Sequence, residues 1–242
     1  MRFNGVDIRD VHRAVSVEKE IPPGMPEMTI ETAQGWDGET FVGRTMGRGS
    51  YVVRVNIACR EREEAWRVRA LLAQWAMSSG NATADLEPTH WPGVAYDAVA
   101  GSISEPEFVR GFGKVVVTFV LPRPVAHDVT ESRASGSGSV SMLVRGSMPC
   151  RPVIRQVLAV GRSGLVLTLD GKAFFTVRGQ LNAGQTVEID TGRSALTVDG
   201  VHAEERVSVT GTVWRPGFTP GVHTLGSSDG GTLEARWHSE WA

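Results

Sequence analysis

The hydrophobic positions of this chain fall into one helical pattern and many short β patterns. Over residues 60–78 the apolar side chains Ala65, Val68, Leu72, Trp75 and Ala76 recur at the spacing of one helical face, which predicts an amphipathic helix with a single stripe to bury. Glu61, Glu63 and Glu64 stand in its first turn, where the helix dipole favours carboxylates, and Gly80 supplies a stop after the last turn. At about 1.5 Å per residue the helix is ~27 Å long, enough to cross one face of a sheet. Residues 50–60 predict a strand feeding it. Residues 94–104 and 108–121 predict a long hairpin joined at Glu105-Pro106-Glu107, and the run Lys-Val-Val-Val-Thr-Phe-Val-Leu ending at Leu121 is the most β-prone in the chain.

Before the helix, residues 2–41 read as short strands broken by turns. Asn4-Gly5 is a hairpin dipeptide, Val11, Val15 and Val17 alternate across 11–21, and Asp37-Gly38 and Arg48-Gly49 are further turns. Three prolines in Ile21-Pro22-Pro23-Gly24-Met25-Pro26 remove ladder donors, so this stretch predicts an extended edge or arm instead of a central strand. Residues 88–93, with two prolines and a glycine, predict a loop. After Pro122 and Pro124 the chain turns polar and ends that stretch in Ala-Ser-Gly-Ser-Gly-Ser, a composition expected of a linker or exposed loop. A domain boundary near residue 130 follows, giving domains 1–130 and 131–242.

The second domain predicts seven strands, at 139–145, 151–160, 165–169, 173–177, 186–190, 195–198 and 205–213. Asp170-Gly171, Thr191-Gly192 and Asp199-Gly200 are its turns, and together they indicate an antiparallel sandwich. An aromatic, Pro- and Gly-rich stretch (214–225) follows, then a last strand at 232–238 that packs on either domain. The fold class is therefore mainly β with one α-helix: an N-terminal β-sandwich or sheet with helix and long hairpin, and a C-terminal antiparallel β-sandwich.

Composition narrows the function classes. Of 242 residues 41% are hydrophobic, enough for true cores, while the mean hydropathy of −0.12 and the lack of any apolar run near the ~20 residues of a membrane span argue against a spanning protein. The N-terminus has no apolar secretory segment. A net charge of −2 does not suggest a bulk nucleic-acid binder. Cys59 and Cys150, with no metal-type spacing, read as two reduced thiols of a chain that folds in a cytosol. The six histidines form no paired ligand spacing. Gly47-Arg-Gly49 and Gly111-Phe-Gly113 lack what a phosphate loop needs, and the sequence Gly161-Arg-Ser-Gly164 is not a nucleophile elbow. No catalytic, cofactor-binding or metal residues are assigned, and an enzyme is not expected.

Seven tryptophans remain conspicuous. Core packing is the plainer reading for Trp66, Trp75 and Trp214, less so for Trp91 and Trp241, which stand near turns or the terminus. Aromatics of this kind also stack on sugar rings or anchor interfaces, so Trp91, Trp214, Trp237 and Trp241 are candidate contacts to a saccharide or partner.

Taken in order, these landmarks resemble the distal tail protein family of long-tailed, non-contractile phages. The resemblance rests on the opening Phe3-Asn-Gly5, the Trp36-Asp-Gly38 turn and the helix with Leu71-Leu72 and Trp75. It continues through Tyr96-Asp-Ala98, the strand Val117-Thr-Phe119-Val-Leu-Pro122, the 214–225 stretch and the Arg236-Trp237 ending. His223 departs from it, standing where the family often carries Asn. The resemblance implies a structural protein of the virion tail tip whose N-terminal domain closes, typically six-fold, into a ring with copies of itself. Its partners would be the tail tube protein, the tape-measure protein and a hub or fibre protein, with DNA passing through the ring and no cofactor. The C-terminal domain would be a galectin-like or carbohydrate-module-like sandwich projecting outward. Ile21, Pro22, Pro23 and Met25 of the arm, and Phe108 and Phe112 of the long hairpin, are the expected inter-subunit contacts. The alternative is a carbohydrate-binding module that recognises a host-surface glycan; a third reading, a glycan-processing enzyme, would require two carboxylates facing across a cleft.

Overall fold

The computed structural model describes residues 1–24, 27–31, 40–45, 47–109, 111–210 and 212–242. Two compact units, Met1–Ala126 and His127–Ala242, each enclose a core. Met25, Trp36 and the Asp37-Gly38 turn lie outside the described residues.

The first unit contains strands β1 (Arg2–Phe3), β2 (Val6–Asp7), β3 (Val15–Ile21), β4 (Glu27–Glu31), β5 (Thr40–Thr45), β6 (Gly49–Ala58), β7 (Ala84–Glu87), β8 (Val94–Ile103), β9 (Glu107–Val109) and β10 (Phe112–Leu121), with helices α1 (Ile8–Val11) and α2 (Arg62–Ala76). The main sheet runs in the order β2-β1-β7-β8-β10-β6-β3, with β9 also paired to β10, while β4 and β5 form a two-stranded sheet of their own. β6 buries Tyr51, Val53, Val55 and Ile57, and β10 buries Val115, Val117, Phe119 and Leu121, so alternation presents one apolar face. Helix α2 lays Ala65, Val68, Leu72, Trp75 and Ala76 on that face. Trp75 packs edge-on against Phe3 and Phe119, at 5.9 and 5.8 Å, and its indole N–H donates to Val6 O at 3.1 Å. Where helix and strand cross, β10 carries Gly113, because a Cβ there would stand 2.8 Å from the Ala65 methyl.

The helix is two residues shorter at each end than its periodicity predicts. Val11 belongs to α1, capped by the Asp7 carboxylate, so the strand begins only at Val15. The long hairpin turns later than expected. Glu107–Val109 continue as β9 along β10, and the chain reverses beyond Val109, with Gly111 at φ +85°. Pro106 has no N–H for the ladder, and Ser104 bridges the break: its N–H donates to Val116 O and its hydroxyl accepts from Val116 N, both at 2.9 Å.

In the second unit the strands are β11 (Ala126–Asp128) at the junction, β12 (Ser132–Ser137), β13 (Ser139–Val144), β14 (Val153–Val157), β15 (Arg162–Leu169), β16 (Lys172–Leu181), β17 (Thr186–Asp190), β18 (Ala195–Val198), β19 (Val201–His202), β20 (Gly221–Ser227), β21 (Thr232–Trp237) and β22 (Glu240–Trp241). A six-stranded sheet, β12-β21-β14-β17-β18-β19, faces a four-stranded one, β13-β20-β15-β16, across an apolar core that includes Phe175, Phe218, Leu225 and Trp237. Asp170-Gly171 and Asp199-Gly200 take positive φ at both positions, as two-residue hairpins require.

Three expectations fail here. The Gly/Ser run is no linker: Ser132–Ser137 form β12, in register with β21 from Ser132↔Trp237 to Ser137↔Thr232. The described residues of 205–213 form no strand: Glu204–Arg206 make a single 3₁₀ turn, Val207 makes one isolated bridge to Val177, and Val209 is 94% exposed. The Pro/Gly stretch instead ends in a strand, β20, which pairs with β13 and β15. The strand expected at 232–238 is β21, and it pairs with β12 and β14 inside the second unit.

Candidate assembly surfaces

An edge strand leaves a row of backbone donors and acceptors open to another chain. In the first unit β3 is such an edge, bonded on one side only, to β6. Its end carries Ile21 and Pro23, both half-buried, and Pro22, exposed. Further along the chain β4 and β5 pair with each other from Glu27↔Thr45 to Glu31↔Thr40 with one bulge. This hairpin pairs with no other described strand. The prolines place the break between sheet and arm where ladder donors are missing.

The edge is anchored at its root. Glu20, on β3, accepts from the Tyr51 hydroxyl at 2.8 Å and from Thr89 N at 3.1 Å, with His90 Nδ1 at 3.2 Å. Burial pushes the Glu20 carboxyl up, but the Thr89 and Tyr51 hydrogen bonds outweigh it and hold the group below its ordinary value. Tyr51 is pushed up by burial and by the Glu20 charge it faces. Thus β3 is fastened to the 88–93 loop that bears half-buried Trp91.

The tip of the β9–β10 hairpin is the second surface. Phe112 is 50% exposed, Val109 is also exposed, and Phe108 is half-buried. Sequence reasoning missed Val109, because it placed the turn at Pro106. It also missed Trp66, which points to solvent at 42% exposure, with the Arg69 guanidinium 5.5 Å from its ring.

The second unit distributes its candidate tryptophans unequally. Trp237 is 4% exposed and belongs to the sandwich core. Trp241 is half-buried, and its indole N–H donates to Asp128 Oδ1 at 3.0 Å. Trp214 is half-buried, edge-on to Phe175 at 4.9 Å, and lines a shallow groove of about 460 Å³ with Ser194, Glu204, Ser208 and Thr212. No described helix is long and apolar enough to cross a membrane.

Residues 145–241 match the family model described as siphovirus-type tail component, C-terminal domain. No curated protein sequence matches the chain. Among solved structures, the chain is similar to the crystal structure of the SPP1 Dit protein, described as a paradigm of the hub adsorption apparatus in phages infecting Gram-positive bacteria. That likeness has a TM-score of 0.82 at 15% identity and covers 100% of this chain and 98% of that one, so the two share their fold from end to end. Chains of the phage P2 baseplate in its activated conformation with Ca and with Sr give TM-scores of 0.48 and 0.47, at 10% and 11% identity, each covering 93% of this chain and 90% of theirs.

Proposed function

We propose that this chain, which carries the siphovirus-type tail component C-terminal domain, is a structural protein of a siphophage tail tip. Its first unit closes with copies of itself into a ring, six-fold as its resemblance to the distal tail proteins implies, joining the tail tube to the baseplate hub. Tube, tape-measure and hub or fibre proteins are the other partners, and DNA passes through the ring.

One observation carries this reading: the β4–β5 pair, which follows the edge strand β3 in sequence, pairs with no other strand of the described chain. An isolated two-stranded hairpin is only marginally stable in water, so an arm of this kind needs a surface to lie on. A neighbouring copy supplies one, and a closed ring is the finite solution to repeated head-to-tail contact. The exposed Phe112 and Val109 at the β9–β10 tip give the same unit a second apolar contact.

The test is Ile21→Asp, at the point where arm leaves sheet. Assembly weakens while the thermal melt of the monomer stays cooperative; a ring that forms unchanged overturns the assignment of this edge. The groove at Trp214 favours the glycan-binding reading for the second unit, because a half-exposed aromatic stands beside Glu204, Ser194 and Thr212. Titration of tryptophan fluorescence with host-wall oligosaccharides, in wild type and Trp214→Ala, tests it. Quenching lost in the variant supports saccharide binding, and no response in wild type overturns it.

A further inference from the structure

Both sheets of the sandwich end in strands that are consecutive in sequence. β12 is the edge of the six-stranded sheet and β13 the edge of the four-stranded one, and the chain passes from one to the other at Gly138, φ +70°. Between them lies a groove of about 350 Å³ whose lining includes Ser132, Arg133, Ser141, Leu143, Arg145 and Trp237. This wall is rich in donors and contains no carboxylate. Arg145 is exposed and has no ion-pair partner among the described residues, while Arg133 bonds Glu131 at 2.7 Å and keeps 64% of its side chain exposed. The indole N–H of Trp237 is buried and has no acceptor among the described residues, an uncommon state for a buried donor.

The edge itself is unguarded. β12 reads Ser-Arg-Ala-Ser-Gly-Ser and pairs with β21 through six consecutive residues without a bulge, so its outer row of backbone groups is straight and open. It lacks the Lys, Pro or bulge by which natural edges usually refuse further strands. Its small side chains leave room for another backbone to approach.

We propose that this groove takes an extended acidic peptide segment of another protein, added as a strand on β12 with its carboxylates against Arg145 and Arg133. Main-chain hydrogen bonds supply the affinity and the arginine pair the selectivity, since guanidinium–carboxylate pairs are the strong, directional kind. The site lies wholly in the second unit and is independent of ring closure.

The test uses the full chain and a fluorescein-labelled octapeptide of alternating Glu and Ser, read by anisotropy and by backbone deuterium exchange. The acidic peptide binds, the Lys-Ser counterpart does not, and exchange slows across residues 132–137. Arg145→Glu weakens binding by roughly ten-fold or more, while Arg145→Lys keeps most of it. Arg145 is exposed, so both variants fold. Four results overturn the proposal: no binding; binding without slowed exchange at 132–137; affinity unchanged in Arg145→Glu; or equal displacement by polygalacturonate, which would make the groove a site for anionic polysaccharide.

Discussion

At the residue scale the second unit is held by a few polar clamps whose chemistry sets its response to pH. His223 has both ring nitrogens on acceptors, Nδ1 2.7 Å from the Asp170 carboxylate and Nε2 2.7 Å from Thr219 O. A neutral imidazole can donate only once, so this geometry selects the imidazolium. Partial burial pulls its pKa down, but the Asp170 and Thr219 hydrogen bonds win and raise it. Asp170 is lowered, first by His223, then by the Thr224 N–H and the nearby Lys172. The His223 contribution is complete below its ordinary pKa and fades as pH rises through the raised folded value; that of Asp170 is complete above its ordinary pKa and fades as pH falls through the lowered one. The clamp is therefore strongest in the mildly acidic range. Thermal melts at pH 6 and pH 8.5 should show wild type losing more stability on the alkaline side than His223→Gln, and equal losses would refute the clamp. Asp229 is the other clamp. Its carboxylate accepts from Ala159 N and Gly231 N at 2.8 and 2.7 Å, faces Arg162 at 3.0 Å and is fully buried. Removing it in Asp229→Ala strands Arg162 and two amides, and chemical denaturation should show a loss of at least roughly 3 kcal/mol.

At the element scale, what was readable in the sequence was whatever a segment's own side chains determine. The stripe Ala65, Val68, Leu72, Trp75 and Ala76 marked both the helix and its buried face, because 3.6-residue periodicity is local. Aromatic character alone misassigned its neighbour: Trp66 points outward, whereas Trp75 fills the space between Phe3 and Phe119. Trp75→Ala should cost about 3–5 kcal/mol in urea denaturation and Trp66→Ala less than about 1. Strands stabilised by their neighbours were hidden. β12 offers almost no apolar surface and exists because β21 pairs with all six of its residues, so a Ser/Gly run looked like a linker. β20 was masked by Pro216 and Pro220, which precede it, and the valines at 207, 209 and 213 imitated a strand where the chain makes only scattered contacts with β16, among them a single bridge from Val207 to Val177. Of the candidate assembly surfaces, the sequence marked the arm by its prolines at Ile21-Pro22-Pro23 and the long hairpin by Phe108 and Phe112, but not Val109 beside them. The donor-lined groove, built from β12, β13 and β21, had no local signature.

At the scale of the whole molecule the chain is economical in chemistry and rich in edges. Two β units with open edge strands, a paired arm that needs a surface to lie on, and polar clamps that stiffen a sandwich suit a part whose work is to be joined to other parts. Replacing residues 27–45 by a short Gly-Ser link removes the arm and leaves every strand of the main sheet in the chain. That variant should melt like wild type yet fail to assemble. Ring formation shows in the absolute mass of the chain in solution, measured by light scattering after size exclusion up to its highest soluble concentration. The expected result is a closed species near 157 kDa, six copies of the 26.1-kDa chain, lost in the arm-deleted variant. A mass that stays at 26.1 kDa throughout, or a ring that forms equally well without the arm, would contradict it.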